Sequence, residues 1–351
     1  MSPAPTTVLI ATPVEEELVE RIRDSAPGLE VLHDPALLPP PRYPSDHAGA
    51  PVFRRDPDAQ QRFDGWVERA QVTLGVPGET PEALRELVRR AGGLRWVQGT
   101  AAGMGQQVHA AGLSAADLDR VTFTSTIGVH ATQLAEWAML GLLAFTKDLP
   151  RLQRDKAARR WDHYAVRELA GQRLLVVGLG HIGREVARCA RALGMHVTGV
   201  RRTPDKRDLE RVDRTASTAQ LAELVPQADA VVLALPATAE TEGLFTSDLI
   251  EALPGHALLV NVGRGSTIDE PALVAALRDG RLSGAALDVT ANEPLPDDSP
   301  LWDLDNVLLS PHTAALSTKE NERIVELFCD NLRRFQKGQA LRNEVDTTLF
   351  Y

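Results

Sequence analysis

Cysteine is nearly absent: Cys189 and Cys329 are the only two in 351 residues. Two thiols build neither a disulfide framework nor a four-thiolate zinc site, and they fit a reducing compartment. No metal site is expected. Long apolar runs are missing too, since no stretch approaches the ~20 residues that cross a bilayer. Basic residues are in deficit, 38 against 48 acidic, for a net charge of -10. That balance argues against broad binding to nucleic acid or anionic membranes, both of which need a cationic surface. Met1 to Thr12 carries no basic residue ahead of its apolar stretch, Val8 to Ala11, which is too short for a secretory signal. The expectation is a cytoplasmic chain with no nucleic-acid or membrane partner. No internal repeat of fixed short period occurs, and the prolines form the only biased tract.

What is present belongs to a folded protein. Hydrophobic residues make up 43% and charged residues 25%, which excludes a largely disordered, collagen-like or coiled-coil chain. The length suits about two domains of ~150 residues.

Short apolar runs alternate with helical patterns. In the first region the expected strands are Val8–Ala11, Leu29–Leu32, Val72–Val76 and Leu94–Gln98. Val14–Asp24 reads as a helix, and further helices open at Asp56-Pro57 and Thr80-Pro81, each a capping residue followed by proline. Pro35 to Pro51 is too proline-rich for a helix interior. Ala131 to Asp148 reads as a long helix, apolar nearly all round and so buried, between domains or in a subunit interface. Six further strands follow: Arg173–Val177, His196–Val200, Ala230–Leu235, Ala257–Asn261, Gly284–Val289 and Val307–Leu309. A last helix runs from near Ser317 to Lys337. Strands joined by helices imply parallel sheets with right-handed crossovers. The expected fold is α/β, with two doubly wound parallel-sheet domains. Residues 124–315 form a Rossmann dinucleotide-binding domain. Residues 1–123 plus 316–351 form a smaller, discontinuous, flavodoxin-like substrate domain.

The strongest local signal is Gly178-Leu-Gly180-His181-Ile182-Gly183, between the apolar run Arg173–Val177 and a helix, Arg184 to Leu193. A G-x-G-x-x-G alone is weak evidence; between a strand and a helix it reads as a dinucleotide site. Gly178 permits the tight turn, Gly180 admits a pyrophosphate close to the backbone, and Gly183 lets helix and strand pack closely. The amides of His181 and Ile182 add to the positive end of the helix.

The next strand selects the dinucleotide. An NAD site places Asp or Glu at its end, to accept from the ribose 2′-hydroxyl. This chain has Arg201 and Arg202 there, with Lys206 and Arg207 nearby. Guanidinium groups pair instead with a 2′-phosphate, so NADP(H) is expected over NAD(H). A solvated basic loop is the plainer alternative, and Asp205 remains a possible acceptor for an NAD ribose.

Three polar residues follow later strands, on the sheet edge where such folds bind ligands. They are Arg264 in Asn261-Val262-Gly-Arg264-Gly265, Glu293 in Asp288-Val-Thr-Ala-Asn-Glu293-Pro294, and His312 in Ser310-Pro-His312-Thr313. In this order and approximate spacing, together with the glycine motif, these segments resemble the D-2-hydroxyacid dehydrogenase family. The likeness runs from Ala102-Gly103 to Asn343-Glu-Val345 and points to NADP-preferring, glyoxylate/hydroxypyruvate reductase-like members.

The resemblance implies roles. Arg264 would hold the substrate carboxylate and polarise its 2-oxo group, a task suited to a permanent planar cation. His312 would be the general acid/base, and Glu293 its carboxylate partner, favouring imidazolium and orienting the ring. Asp288 would face the nicotinamide carboxamide, with Val262, Leu235 and Pro236 also beside the cofactor. Ala102, Gly103 and Met104 would bind the substrate carboxylate through backbone amides, in a domain forming the other wall of a cleft. Met104, a flexible side chain, departs from the family pattern and is expected to widen the substrate range. A homodimer through the Ala131–Asp148 region is also implied, and the small 2-oxo or 2-hydroxy acid substrate stays unnamed. Two other readings stay open: a dinucleotide-sensing, corepressor-like interaction module, and a dehydrogenase of another small anion such as formate or phosphite. His130 and His181 have no comparable framing.

Overall fold

The computed structural model describes residues 5–350, apart from the Lys206 side chain. The first four residues of the Met1–Thr12 segment lie outside that range. The chain divides into two compact units, one running to Val129 and resuming at Leu316, the other spanning His130–Ala315. Thr124 to Val129 therefore go with the first unit rather than the second. Thr124 ends a strand of the first sheet, and Val129 packs into the core on one face of that sheet.

The first unit holds a five-stranded parallel sheet. Its strands are β1 (Thr6–Ile10), β2 (Leu29–Leu32), β3 (Val72–Leu74), β4 (Trp96–Gln98) and β5 (Thr122–Thr124), in spatial order β2-β1-β3-β4-β5. This is the flavodoxin-like order. Four strands lie where the sequence pattern puts them, β2 with the same bounds and the others with ends moved by at most two residues. β5 was not expected, because three residues with one aromatic carry too little periodicity. Alternate side chains of each strand enter different cores. Leu9 and Val97 join Phe63, Leu84 and Val108 on one face, while Val8, Ile10 and Trp96 meet the other. That second face explains the return of the chain. The helix Glu320–Gln336 buries Ile324, Val325, Phe328 and Leu332 against it, and the Phe328 and Trp96 rings stack at 5.0 Å. Both capping expectations hold locally. Asp56 accepts from the Ala59 amide and Thr80 from the Ala83 amide, at the starts of Pro57–Arg69 and Pro81–Arg90.

The second unit holds seven parallel strands: β6 (Arg173–Val177), β7 (His196–Arg201), β8 (Arg214–Ser217), β9 (Ala230–Leu233), β10 (Leu258–Asn261), β11 (Gly284–Leu287) and β12 (Val307–Leu309). Their order is β12-β11-β10-β9-β6-β7-β8, so the chain reverses direction across the sheet between β6 and β9. That reversal is a topological switch point, which opens a crevice at the carboxyl ends of the strands. β8 escaped the sequence reading because Arg214-Thr-Ala-Ser217 is an edge strand with little apolar content. Leu175 and Val177 face one core, Leu174 and Val176 the other, as expected for a sheet covered on both sides. The long helix, Ala131–Thr146, lies on the second face. A Cβ on its Gly141 would come within 2.5 Å of the Ala286 Cβ, so glycine sets how closely helix and sheet approach. No helix among the described residues is long and apolar enough to cross a membrane.

Candidate functional site

The glycine turn between β6 and the helix His181–Ala192 is shaped by three different constraints. Gly178 has φ +104°, a region L side chains avoid, and a Cβ there would lie 2.6 Å from the Ala234 carbonyl oxygen. A Cβ on Gly183 would lie 1.8 Å from the Gly178 carbonyl oxygen, so helix and turn approach as closely as glycine permits. A Cβ on Gly180 would meet nothing within 4 Å. The open side of the turn is thus at Gly180, and the helix begins at His181, earlier than expected, which places the His181 and Ile182 amides in its first turn. A pyrophosphate fits this arrangement of space and donors.

The neighbouring loops close on that turn. Leu235 lies beside it, its Cδ2 3.1 Å from the position of a Gly178 Cβ. A Cβ on Gly263 would lie 2.5 Å from the Leu235 carbonyl oxygen. The loops after β6, β9 and β10 therefore pack directly on one another, bringing Leu235-Pro236 and Val262 to one sheet edge.

The arginines of the basic loop after β7 are already paired with carboxylates. Arg201 Nη1 donates to Asp208 Oδ2 at 2.8 Å, and Arg184 Nη2 donates to Asp208 Oδ1 at 2.9 Å. Asp208 is buried. Arg202 pairs with Glu240 at 2.7 Å and Arg207 with Asp205 at 2.6 Å. The Arg207 bonds, to side chain and amide, hold the Asp205 carboxyl down at about 2. The loop is largely neutralised, by its own Asp205 and Asp208 and by Glu240 from a later loop. One positive charge remains in excess where Arg184 and Arg201 share a single carboxylate. The Lys206 side chain falls outside the described residues.

Arg264 is fixed through its backbone. Asn261 Nδ2 donates to its carbonyl at 3.0 Å and Thr267 Oγ1 donates to the same oxygen at 2.7 Å. The guanidinium is half-buried and donates to the Gly263 carbonyl at 2.8 Å. Gly265 ties this loop to the next, for a Cβ there would lie 1.9 Å from the Thr290 carbonyl oxygen. Thr290 in turn donates its amide to Glu293 Oε1 at 3.2 Å. The supporting residues Asn261, Gly265, Thr267 and Thr290 were missed by the sequence reading. The glycine of V-G-R-G was visible, but its reason, a carbonyl on another loop, was not.

His312 Nδ1 lies 2.7 Å from Glu293 Oε2. A carboxylate accepts, so Nδ1 carries the proton and Nε2 is left to exchange one. The imidazole is 43% exposed, and Nε2 has no protein partner among the described residues. The backbone of His312 is left-handed, φ 56°. Two bonds hold that unusual turn: the His312 amide donates to the Asp288 carbonyl at 3.0 Å, and the Ala314 amide to Asp288 Oδ1 at 2.9 Å. Asp288 is buried and clamps the loop carrying His312.

In the first unit, Ala102 and Gly103 precede the helix Met104–Ala111. Met104 overturns one expectation. Its side chain is 1% exposed and packs into the core against Gly99, where a Cβ would lie 2.6 Å from the sulfur. The side chain is thus part of the core, and its flexibility is spent there. Among the described residues, no cluster of three or more His, Cys, Asp or Glu side chains is arranged to hold a metal ion.

Residues 139–314 match the family model described as "D-isomer specific 2-hydroxyacid dehydrogenase, NAD binding domain". A glyoxylate reductase of Korarchaeum cryptofilum is 32% identical over 232 residues, covering 64% of this chain and 68% of the relative. The chain spans 59% of the D-3-phosphoglycerate dehydrogenase of Archaeoglobus fulgidus, at 27% identity. Among solved structures, a D-isomer specific 2-hydroxyacid dehydrogenase family protein from Aeromonas salmonicida superposes with a TM-score of 0.79 at 28% identity, covering 98% of this chain and all of that one. The NADPH-dependent glyoxylate/hydroxypyruvate reductase of Sinorhizobium meliloti, solved with NADP and sulfate, superposes with a TM-score of 0.75 at 26% identity, over 99% of this chain and all of that one.

Proposed function

The chain belongs to the D-isomer specific 2-hydroxyacid dehydrogenase family, and on that premise we propose that it reduces small 2-oxo acids to D-2-hydroxy acids with NADPH, glyoxylate and hydroxypyruvate being the first substrates to try. The observation that carries this reading is the Glu293–His312 pair, 2.7 Å apart, on the same sheet edge as the glycine turn. His312 Nε2 gives its proton to the carbonyl oxygen as that oxygen gains charge. Glu293 holds the ring in one tautomer and offsets the positive charge of the imidazolium. Arg264 holds the carboxylate and polarises the carbonyl, with its loop locked by Asn261, Thr267 and Gly265. The backbone amides of Ala102, Gly103 and Met104 are likewise suited to a substrate carboxylate. The dinucleotide, when bound, supplies the hydride.

The cofactor preference rests on Arg201 and Arg184. Two guanidiniums on one buried carboxylate keep a net positive charge and unused donors for a 2′-phosphate. NAD lacks that phosphate and gains nothing from them. The exposed apolar side chains Leu140, Leu152, Trp161 and Val166, on and after the long helix, support a homodimer through that region. The deciding assay follows NADPH oxidation across a panel of 2-oxo acids, with NADH alongside. Turnover with NADPH favoured is the expected result; no turnover of any 2-oxo acid would refute the proposal.

A further inference from the structure

The loop after β3 carries a carboxylate that the chemistry above leaves unused. This loop, residues 75–80, leaves the sheet at its carboxyl edge and folds back through two consecutive left-handed residues, Gly78 at φ 68° and Glu79 at φ 54°. Such a conformation is costly for a residue with a side chain. Here the side chain itself holds it. Glu79 Oε1 accepts from the Val76 amide at 3.2 Å, and Oε2 accepts from the Thr100 hydroxyl at 2.9 Å. Gly75 makes the room, because a Cβ there would stand 2.6 Å from Thr12 and 3.3 Å from Glu79 Oε1.

Both partners of Glu79 are neutral, and no cation among the described residues pairs with it. Beyond Thr12 stands His47, whose carbonyl accepts from the Thr12 hydroxyl at 2.8 Å and whose Nε2 meets Asn321 Oδ1 at 2.8 Å. Burial in these surroundings pushes the Glu79 carboxyl up to about 7.

Thr100 opens the turn that contains Ala102, Gly103 and Met104. Several bonds pin that turn. The Gly99 amide donates to the Thr124 carbonyl at 2.8 Å, Thr126 Oγ1 to the Thr100 carbonyl at 3.1 Å, and the Thr126 amide to the Ala101 carbonyl at 3.3 Å. The bond to Glu79 is the tether among these whose charge depends on pH.

We propose that Glu79 is a positioning residue that makes anion affinity at the Thr100–Met104 turn pH-dependent: neutral, it holds the turn in shape to receive a carboxylate; ionised, it sets a negative charge behind the same amides and weakens their hold. This rests on the reading of that turn as the seat of the substrate carboxylate. Like charges in a poorly hydrated setting repel even when both are hydrogen-bonded, so the effect falls on anion affinity and leaves cofactor affinity alone.

The test measures the dissociation constant of oxamate, a 2-oxo acid isostere that accepts no hydride, on the NADPH-loaded protein from pH 5.5 to 8.5. Glu79→Gln keeps the size of the side chain, an oxygen to accept from the Val76 amide and an NH2 to donate to the Thr100 hydroxyl oxygen. Parent and variant should bind oxamate alike at pH 5.5, and the variant roughly three- to thirtyfold more tightly at pH 8.5. Any pH dependence common to both proteins cancels in the ratio. Parallel profiles would overturn the proposal, as would absence of oxamate binding to the parent at any pH. Thr100→Val removes the tether but keeps the charge; it should weaken binding at every pH while keeping the parent's slope. Should Glu79→Gln fail to fold, carbon NMR of the parent's glutamate carboxyls decides: oxamate must raise the Glu79 midpoint, because the coupling is reciprocal. A midpoint that oxamate leaves in place would overturn the proposal. If no 2-oxo acid is turned over while oxamate binding follows this pattern, the reductase reading fails and the role of Glu79 stands.

Discussion

His312 and Glu293 are 19 residues apart in sequence and follow different strands, yet their Nδ1 and Oε2 atoms meet at 2.7 Å. The meeting depends on Asp288, whose carbonyl and carboxylate bind the amides of His312 and Ala314. His312→Ala should lower kcat for a 2-oxo acid by about 10²–10⁴ while leaving the NADPH dissociation constant within twofold. Glu293→Gln should lower kcat by a smaller factor, since an amide still orients the ring but offsets no charge. Near-normal turnover in His312→Ala would remove this histidine from the reaction.

Gly265 offers a test away from the polar groups. Any Cβ there would collide with the Thr290 carbonyl, 1.9 Å away, and the loops of Arg264 and Glu293 must separate to relieve it. Gly265→Ala should destabilise the protein by about 1–3 kcal/mol and raise KM for the oxo acid more than KM for NADPH. Parent-like melting temperature and KM would show that the two loops tolerate separation.

The cofactor reading turns on Arg201. Arg201→Ala leaves Asp208 with Arg184 and removes the surplus charge. KM for NADPH should rise about 10- to 100-fold, with little change for NADH. Steady-state kinetics with both dinucleotides check this, and equal changes for the two would place the 2′-phosphate elsewhere.

Asp229 gives a prediction about acid stability. Burial alone would raise its carboxyl, but the Arg173 side chain and amide and His256 outweigh that and hold it at about 2. The ionised form is therefore favoured in the folded state. Its contribution is present above the ordinary Asp value of about 3.9 and is lost as pH falls towards 2. Asp229→Asn should cost about 1–2 kcal/mol at pH 7, with the gap from the parent closing between pH 4 and pH 2. Urea titrations across that range measure it; a gap independent of pH would assign the loss to hydrogen bonding alone.

The two α/β units were legible because hydrophobic periodicity and capping are local. Arg173–Val177 with Gly178, Gly180 and Gly183 announces a strand, a turn and a helix within eleven residues. The strands β5 and β8 were not legible, being short and, in β8, polar, and they take their place only by pairing with a neighbour. Met104 was misread for a related reason: flexibility is a property of the residue, but the cavity it fills belongs to the core around Gly99.

Arg264, Glu293 and His312 stood out as residue types after expected strands, since the ends of parallel strands share one edge of a sheet. Which carboxylate would reach which cation was a different matter. Asp208 against Arg184, Glu79 behind Thr100 and Thr290 against Gly265 are approaches between separate elements, set by packing that no local pattern encodes. Local sequence thus determined the elements and their order, through steric preference and burial. Tertiary structure alone decided which charges are shared, which are left over and which carboxyl titrates near neutrality, because those depend on distance and on exclusion of water.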